Sequence, residues 1–246
     1  MIKERIDKLL LEQKFADSRT KAQALVMSGV VLVDEKRVEK PSEIFSGVVK
    51  IRIKGQTTET KYVGRGGLKL EKALREFHIQ LNEYVCLDVG ASTGGFTDCL
   101  LQNGAKKIVA IDVGTNQLVW RLRKDSRVEV RENINARYLK PEDFTEEFDL
   151  IVMDVSFISV TKILPALVSL LKETGKIIIL IKPQFEVGKG EVGKGGIVRE
   201  TEKHERVIAE INAFAVTYGL KSLKTIDSPI TGADGNKEFL ALYEKA

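Results

Sequence analysis

The 246-residue chain has 2 cysteines, 2 histidines, 5 prolines and 1 tryptophan, and each shortage excludes something. Cys86 and Cys99 fall in what read as a buried strand and a helix, so they suit reduced core thiols better than a disulfide scaffold. His78 and His204 are too far apart in sequence to complete a metal site with them, and no metal is expected. With 43% hydrophobic and 30% charged residues, neither disorder nor a collagen-like repeat fits. The longest unbroken aliphatic run, Ile177 to Ile181, is far shorter than a bilayer span. No apolar stretch follows the charged N-terminal residues Lys3, Glu4, Arg5, Asp7 and Lys8, so the sequence reads as cytoplasmic. Trp120 and most of the phenylalanines read as core.

What is present is unevenly spread. Residues 1–80 hold 17 Lys and Arg against 11 Asp and Glu, whereas the remainder hold 22 against 24. A basic leading segment on a near-neutral body fits a polyanion-binding module attached to something else, although a solvated charged face gives the same excess. Residues 1–60 read as a small α/β unit. Its first helix carries Ile6, Leu9 and Leu10 on one face; its second is capped at Asp17 or Ser18 and ends at Gly29. Short strands follow at Val30–Val33 and Val48–Ile53. A linker over 61–67 leads to a helix from Leu68. Beyond it, short apolar runs (Tyr84–Val89, Lys107–Val113, Val128–Glu132, Phe148–Val155, Lys176–Ile181) alternate with helical stretches at Phe96–Gln102, Val160–Leu171 and Thr201–Tyr218. That order predicts an α/β, doubly wound, mostly parallel sheet over 68–246. The last two strands, joined without room for a crossover helix, should pair antiparallel.

The strongest local signal is Leu87-Asp88-Val89-Gly90-Ala91-Ser92-Thr93-Gly94-Gly95-Phe96-Thr97, an apolar strand that breaks into a glycine turn opening a helix. Such turns bring backbone N–H groups close to a nucleotide-like ligand. The spacing G-x-x-x-G-G is not that of a dinucleotide binder. A carboxylate at Asp88 suits an ammonium rather than a pyrophosphate, and Asp112, one strand later, can take both hydroxyls of a ribose. Together they favour S-adenosyl-L-methionine, with S-adenosyl-L-homocysteine as product. Phe96 borders the expected site, and Asn133, just past the Val128–Glu132 run, completes the candidate cofactor set. Asp154 and Lys182 end successive strands and should meet at the carboxyl edge of the sheet, suited to proton handling; a structural ion pair is the competing reading. Gly188-Lys-Gly-Glu-Val-Gly-Lys-Gly195 nearly spells a P-loop, but Gly195 stands where a metal-binding Ser or Thr is required. The glycine-rich stretch Gln184–Arg199 reads instead as a flexible lid or nucleic-acid contact, with Lys189 as a candidate RNA ligand, or as an ordinary surface loop.

These residues resemble a known family. Arg5-Ile-Asp-Lys-Leu-Leu10, Ala16-Asp-Ser-Arg-Thr-Lys-Ala22, Ser28-Gly-Val-Val-Leu-Val-Asp34 and Lys40-Pro-Ser42 resemble an S4-type RNA-binding domain. The rest resembles the FtsJ-like methyltransferases, and the combination is similar to the TlyA family of ribosomal RNA 2′-O-methyltransferases over essentially the whole chain. The resemblance implies a Rossmann-like methyltransferase sheet preceded by an S4 domain, a cytidine in ribosomal RNA or ribosomal subunits as substrate, and a catalytic set at Lys69, Asp154, Lys182 and Glu238. Thr93 stands where the broader FtsJ-like pattern has proline and Phe96 where it has tryptophan; both bear on cofactor packing. Lys182 is the expected proton-handling group, as an ammonium stabilising an alkoxide or as a neutral base. Arg5, Arg19 and Lys21, with exposed helix N–H groups, are expected to meet RNA phosphates, and Arg65 joins them.

Three other functions stay open on the sequence. A non-catalytic RNA-binding factor would keep the S4 module but has no need of Asp154 and Lys182. A small-molecule methyltransferase would share the glycine turn but has no need of a basic module. A membrane-active haemolysin, a label carried by relatives, finds no lytic or spanning segment here.

Overall fold

The computed structural model describes residues 3–13, 15–16, 18–34, 36–46, 49, 51–53, 61–188, 190–232 and 234–246. The chain divides into two compact units, 1–60 and 61–246.

The first unit runs β1 (Lys3–Arg5), α1 (Ile6–Glu12), α2 (Arg19–Met27), β2 (Val31–Val33), β3 (Lys36–Arg37), β4 (Ile44–Ser46) and β5 (Ile51–Ile53). β1 pairs antiparallel with β4, and β2 lies between β3 and β5. The helical spacing of Ile6, Leu9 and Leu10 puts all three in a core with Ala22, Val26, Val31, Val33, Ile51 and Ile53. Ser18 caps α2, its hydroxyl accepting from the Lys21 N–H at 3.3 Å. Asp17, the other candidate cap, lies outside the described residues.

The second unit contains α3 (Gly66–Glu76), β6 (Val85–Val89), α4 (Gly95–Gln102), β7 (Lys107–Ile111), α5 (Trp120–Arg123), β8 (Val128–Arg131), β9 (Phe148–Met153), α6 (Leu164–Val168), β10 (Leu171–Ile181), α7 (Pro183–Glu186), α8 (Thr201–Val216), β11 (Leu220–Asp227) and β12 (Phe239–Lys245). Its sheet has the order β11-β12-β10-β9-β6-β7-β8. The five strands from β10 to β8 are parallel, and β12 runs antiparallel between β10 and β11, as expected of the last strand. Buried on both faces, the strands alternate between two cores. Leu87, Val89, Ile177, Ile179 and Ile181 pack on one side; Cys86, Ile178 and Leu180 pack on the other. The chain winds outward from β6 to β8, then returns to β9 on the other side of β6. The crevice for a ligand therefore opens at the carboxyl ends of β6 and β9.

Three expectations shift. The residues read as a linker belong to this unit: Tyr62 is buried, the Val63 N–H donates to Asp98 Oδ2 at 2.8 Å, and α3 begins at Gly66 rather than Leu68. The stretch read as one helix over Val160–Leu171 is a 3₁₀ turn followed by the short α6, and Leu171 already belongs to β10. Val160, Leu164, Leu167 and Leu171 are all buried, so the apolar spacing was met by a turn, a helix and a strand in succession. Trp120 is not core but 68% exposed, with Lys124 Nζ 4.9 Å from its ring centroid. The pair turned inward is Leu118 and Leu122, which close on Gly94 and leave Trp120 on the opposite side of the turn. Among the described residues no helix is long and apolar enough to cross a membrane, and no cluster of three or more His, Cys, Asp or Glu could hold a metal.

Candidate active site

The ends of β6 and β9 are tied together by the Asp154 N–H, which donates to the Val89 carbonyl at 3.0 Å. Gly90 follows at φ +85°, and a Cβ there would lie 2.4 Å from the Asp154 carbonyl oxygen, so only glycine permits this approach. Gly94, at φ +102°, is the residue from which α4 starts; a side chain would strike Leu118 and Leu122. The glycines thus shape the turn for steric reasons.

Three cavities, of about 550, 220 and 460 Å³, share Ser92, Asp154 and Ser156 in their walls. The largest runs past Gly90, Asp112, Gln117 and Asn135. The smallest covers the glycine turn at Thr93, Gly95 and Phe96, with Arg65 on its other side. The third holds Lys69, Lys182 and Glu238, bordered by Gln184 and Phe185.

Inside the third cavity the charges are paired. Lys182 Nζ lies 2.6 Å from Asp154 Oδ1 and donates to Ser156 Oγ at 2.8 Å. Lys69 Nζ donates to Glu238 Oε2 at 2.5 Å, with both residues buried. Charges removed from water need such partners, and an ion pair with one end facing a cavity keeps a charged group available there. The loop after β9 is anchored further on: Ser159 Oγ and the Val160 N–H donate to Glu186 at 2.6 and 2.9 Å. Burial raises the pKa of Glu186, and these two hydrogen bonds oppose the rise. Within this loop Phe157 takes a left-handed backbone, φ 64°, and leaves its ring 90% exposed. Strain of this kind in a non-glycine residue persists where surrounding contacts fix it.

The four residues of the implied catalytic set therefore line one cavity, as two ion pairs. Gly90, Ser92, Thr93, Gly95, Phe96 and Asp112 line the adjoining cavities. The Asp112 carboxylate is fixed by N–H bonds from Ser92 at 2.8 Å and Gly114 at 2.7 Å, one to each oxygen, which leaves acceptor capacity on both.

Three cofactor expectations need correction. Gly94 lines none of these cavities: Leu118 and Leu122 close on it, so it shapes the turn instead. Asp88 does not face a cavity: it is fully buried, accepts from Thr97 Oγ1 at 2.6 Å, and its Oδ1 has no hydrogen-bond partner among the described residues. Burial pushes its pKa up to about 7, assisted by the charges of Asp154 and Asp112. In the two cavities beside the glycine turn the carboxylates in the walls are Asp154 and Asp112. Asn133 is also outside the cavity walls. It sits in a left-handed conformation, φ 56°, with its N–H donating to the Gly114 carbonyl, and this turn brings Ile134 and Asn135 to the wall instead.

The RNA-contact residues divide. Arg65 is exposed on the cavity rim and makes no side-chain hydrogen bond or ion pair among the described residues. Arg5 and Arg19 both bind the buried Asp7. Lys21 is exposed at the start of α2, but its N–H is occupied by the Ser18 cap and is not open to a phosphate. Lys189 lies outside the described residues. The glycine-rich stretch around it is pinned rather than loose where it is described: Asn236 accepts from the Val198 N–H at 3.0 Å and donates to the Gly196 carbonyl at 2.9 Å, and His204 Nε2 meets the Val198 carbonyl. Sequence reasoning missed Ser156. Its signal was the spacing Asp154-Val-Ser156, since alternate residues of extended chain point the same way.

Comparison with known proteins identifies the family. Residues 62–245 match the FtsJ-like methyltransferase family and residues 4–47 the S4 domain. The chain is 48% identical to Bacillus subtilis YqxC, over 97% of this chain and 84% of that one. It is 42% identical to the Mycobacterium tuberculosis 16S/23S rRNA (cytidine-2′-O)-methyltransferase TlyA, over 96% of this chain and 87% of the relative. A solved Streptococcus thermophilus structure carrying a hemolysin label is 47% identical, with a TM-score of 0.76 covering 100% of this chain and 90% of that one. The chain belongs to the FtsJ-like methyltransferase family, in its S4-bearing TlyA branch.

Proposed function

We propose that this chain transfers a methyl group from S-adenosyl-L-methionine to a ribose 2′-hydroxyl of ribosomal RNA in the cytoplasm, with a cytidine as the target nucleotide. The observation that carries the reading is Lys182, held between Asp154 and Ser156 where the cavity of the glycine turn meets the cavity of Lys69 and Glu238. The nucleotide and the ribosomal substrate come from the TlyA relative's name.

The site fits the cofactor. Gly90 and Ser92 line the largest cavity beside Asp112, whose carboxylate is pre-set as an acceptor for vicinal hydroxyls. Gly90, Ser92 and Asp112 would hold it, with Phe96 in the neighbouring wall. When bound, S-adenosyl-L-methionine supplies a methyl made electrophilic by its sulfonium. The residues of the chain have two tasks: alignment of a weak nucleophile and handling of one proton. With Ser156 accepting one of its N–H bonds and Asp154 beside it as the ionic partner, Lys182 in the cavity wall keeps donor capacity for the 2′ oxygen. An N–H there stabilises the developing alkoxide; a lone pair there takes the hydroxyl proton. Lys69 and Glu238 fix the far wall of the same cavity.

The test is transfer of labelled methyl to separated ribosomal subunits and to free ribosomal RNA, followed by alkaline hydrolysis. Label in alkali-resistant dinucleotides supports the reading. Label only in alkali-sensitive positions, or none in RNA from a protein that binds the cofactor, overturns it.

A further inference from the structure

Among the described residues the amino-terminal unit buries one carboxylate completely, that of Asp7 in α1. Three side chains donate to it. Arg5 binds in bidentate fashion, Nε to Oδ1 at 3.0 Å and Nη2 to Oδ2 at 2.9 Å. Arg19 Nε and Gln23 Nε2 each reach Oδ2 at 3.1 Å from α2. A carboxylate buried among apolar residues would be costly alone, and these four bonds compensate its lost hydration. The first effect of the cluster is structural: it ties the start of α1 to the first turns of α2.

The second effect concerns the arginines. Their heads share one carboxylate, so two guanidinium groups stand side by side on this face, where without an anion between them they would repel. Their side chains are 36% and 52% exposed. Arg5 has spent Nε and one Nη2 hydrogen, and Arg19 has spent Nε, so Nη donors of both remain for solvent or a ligand. The cluster of two cations and one anion keeps a net positive charge. Fixed planar donors in this arrangement match the oxygens of a phosphodiester, and holding them costs RNA binding less side-chain entropy than two free arginines would.

We propose that Asp7 is a positioning residue for RNA binding, presenting Arg5 and Arg19 as one preorganised phosphodiester-binding fork, so that affinity for a polyanion depends on a buried negative charge. This rests on the RNA-methyltransferase reading above. The Arg5 hydrogen bond is the largest influence holding the Asp7 carboxyl well below the usual carboxylate range, so the cluster is ionised at the neutral pH of the assay.

The experiment measures the affinity of the full chain for transcribed ribosomal RNA over a series of KCl concentrations, with Asp7→Asn, the double variant Arg5→Ala/Arg19→Ala, and the triple variant. Simple charge counting says that Asp7→Asn, which removes a negative charge, should bind RNA more tightly. The proposal says the opposite: Kd rises about 5- to 10-fold and the salt slope falls by about one to two phosphate contacts. In the double-alanine background Asp7→Asn should add nothing, because no arginines remain to position. Equal or tighter binding by Asp7→Asn overturns the proposal. So does an equal loss in both backgrounds, which would mean that the substitution loosens the unit rather than misplaces the arginines. If the double-alanine variant itself binds like wild type, the RNA-contact reading of this face fails with it; a double-alanine loss without an Asp7→Asn loss sinks the positioning role alone.

Discussion

Asp7 and Asp88 are both fully buried, one in each unit, yet their surroundings drive them in opposite directions. Asp7 accepts from two guanidiniums and an amide, and its pKa is lowered, with the Arg5 hydrogen bond the largest cause. Asp88 has the Thr97 hydroxyl at one oxygen and no hydrogen-bond partner among the described residues at the other, and burial pushes its pKa up to about 7. Burial alone therefore does not decide what a carboxylate does; its partners do. Asp154 differs in position: it stands in a cavity wall rather than in the core. Its ionic partner is a single lysine, Lys182. The amino-terminal unit uses a hidden charge to set cations on its surface, while the methyltransferase unit keeps its working charges paired inside a cleft.

The sharpest way to break this contrast is to remove the carboxylate that faces the cleft. Asp154→Asn leaves Lys182 without its ionic partner, and single-turnover methyl transfer should fall about 10²- to 10³-fold; near-normal transfer would reduce the pair to a structural contact. Next comes the neutral partner of the same lysine. Ser156→Ala should lower kcat about 10-fold with little change in the KM for RNA, and Ser156→Thr, which restores a hydroxyl, should recover most of it. An unrecovered loss would assign the effect to packing.

The smallest effect is on stability, and it tests the two buried aspartates directly. Because the folded pKa of Asp88 lies above the unfolded value near 4, its folded form keeps a proton that the unfolded chain has lost between about pH 4 and 7. Its contribution is complete below about pH 4 and is lost as pH rises through about 7, at up to about 1.4 kcal/mol per pH unit. Asp7, with its pKa lowered, contributes above about pH 4 and loses that contribution as pH falls below it. Asp88→Asn should thus flatten the decline in Tm between about pH 4 and 7 and leave the acid limb in place. An unchanged slope would show that Asp88 is ionised throughout.

Much of the architecture was legible because a doubly wound sheet writes itself as apolar runs separated by helical spacing, and the strands at Val85–Val89 and Phe148–Met153 fell where those runs predicted. Asp154 and Lys182 were legible for the same reason: strand ends on parallel neighbours must meet. The failures are of another kind. Leu171 satisfied a helical spacing and a strand equally well, and only sheet pairing with Phe148 decided between them. The orientation of Asp88 depends on Thr97, nine residues on, and no local rule says that a carboxylate before a glycine turn folds inward. Trp120 was assigned to the core by its residue type, whereas Leu118 and Leu122 had already filled the space over Gly94.

The central claim is that Lys182 acts on the nucleophile and not on cofactor binding. It is tested most directly by single-turnover methyl transfer to ribosomal RNA by wild type and Lys182→Ala, with cofactor Kd measured on the same preparations. The account predicts a rate reduced about 10³-fold, with the cofactor Kd within about 2-fold of wild type. A variant that retains most of its transfer rate, or that loses transfer only in proportion to lost cofactor binding, would contradict it.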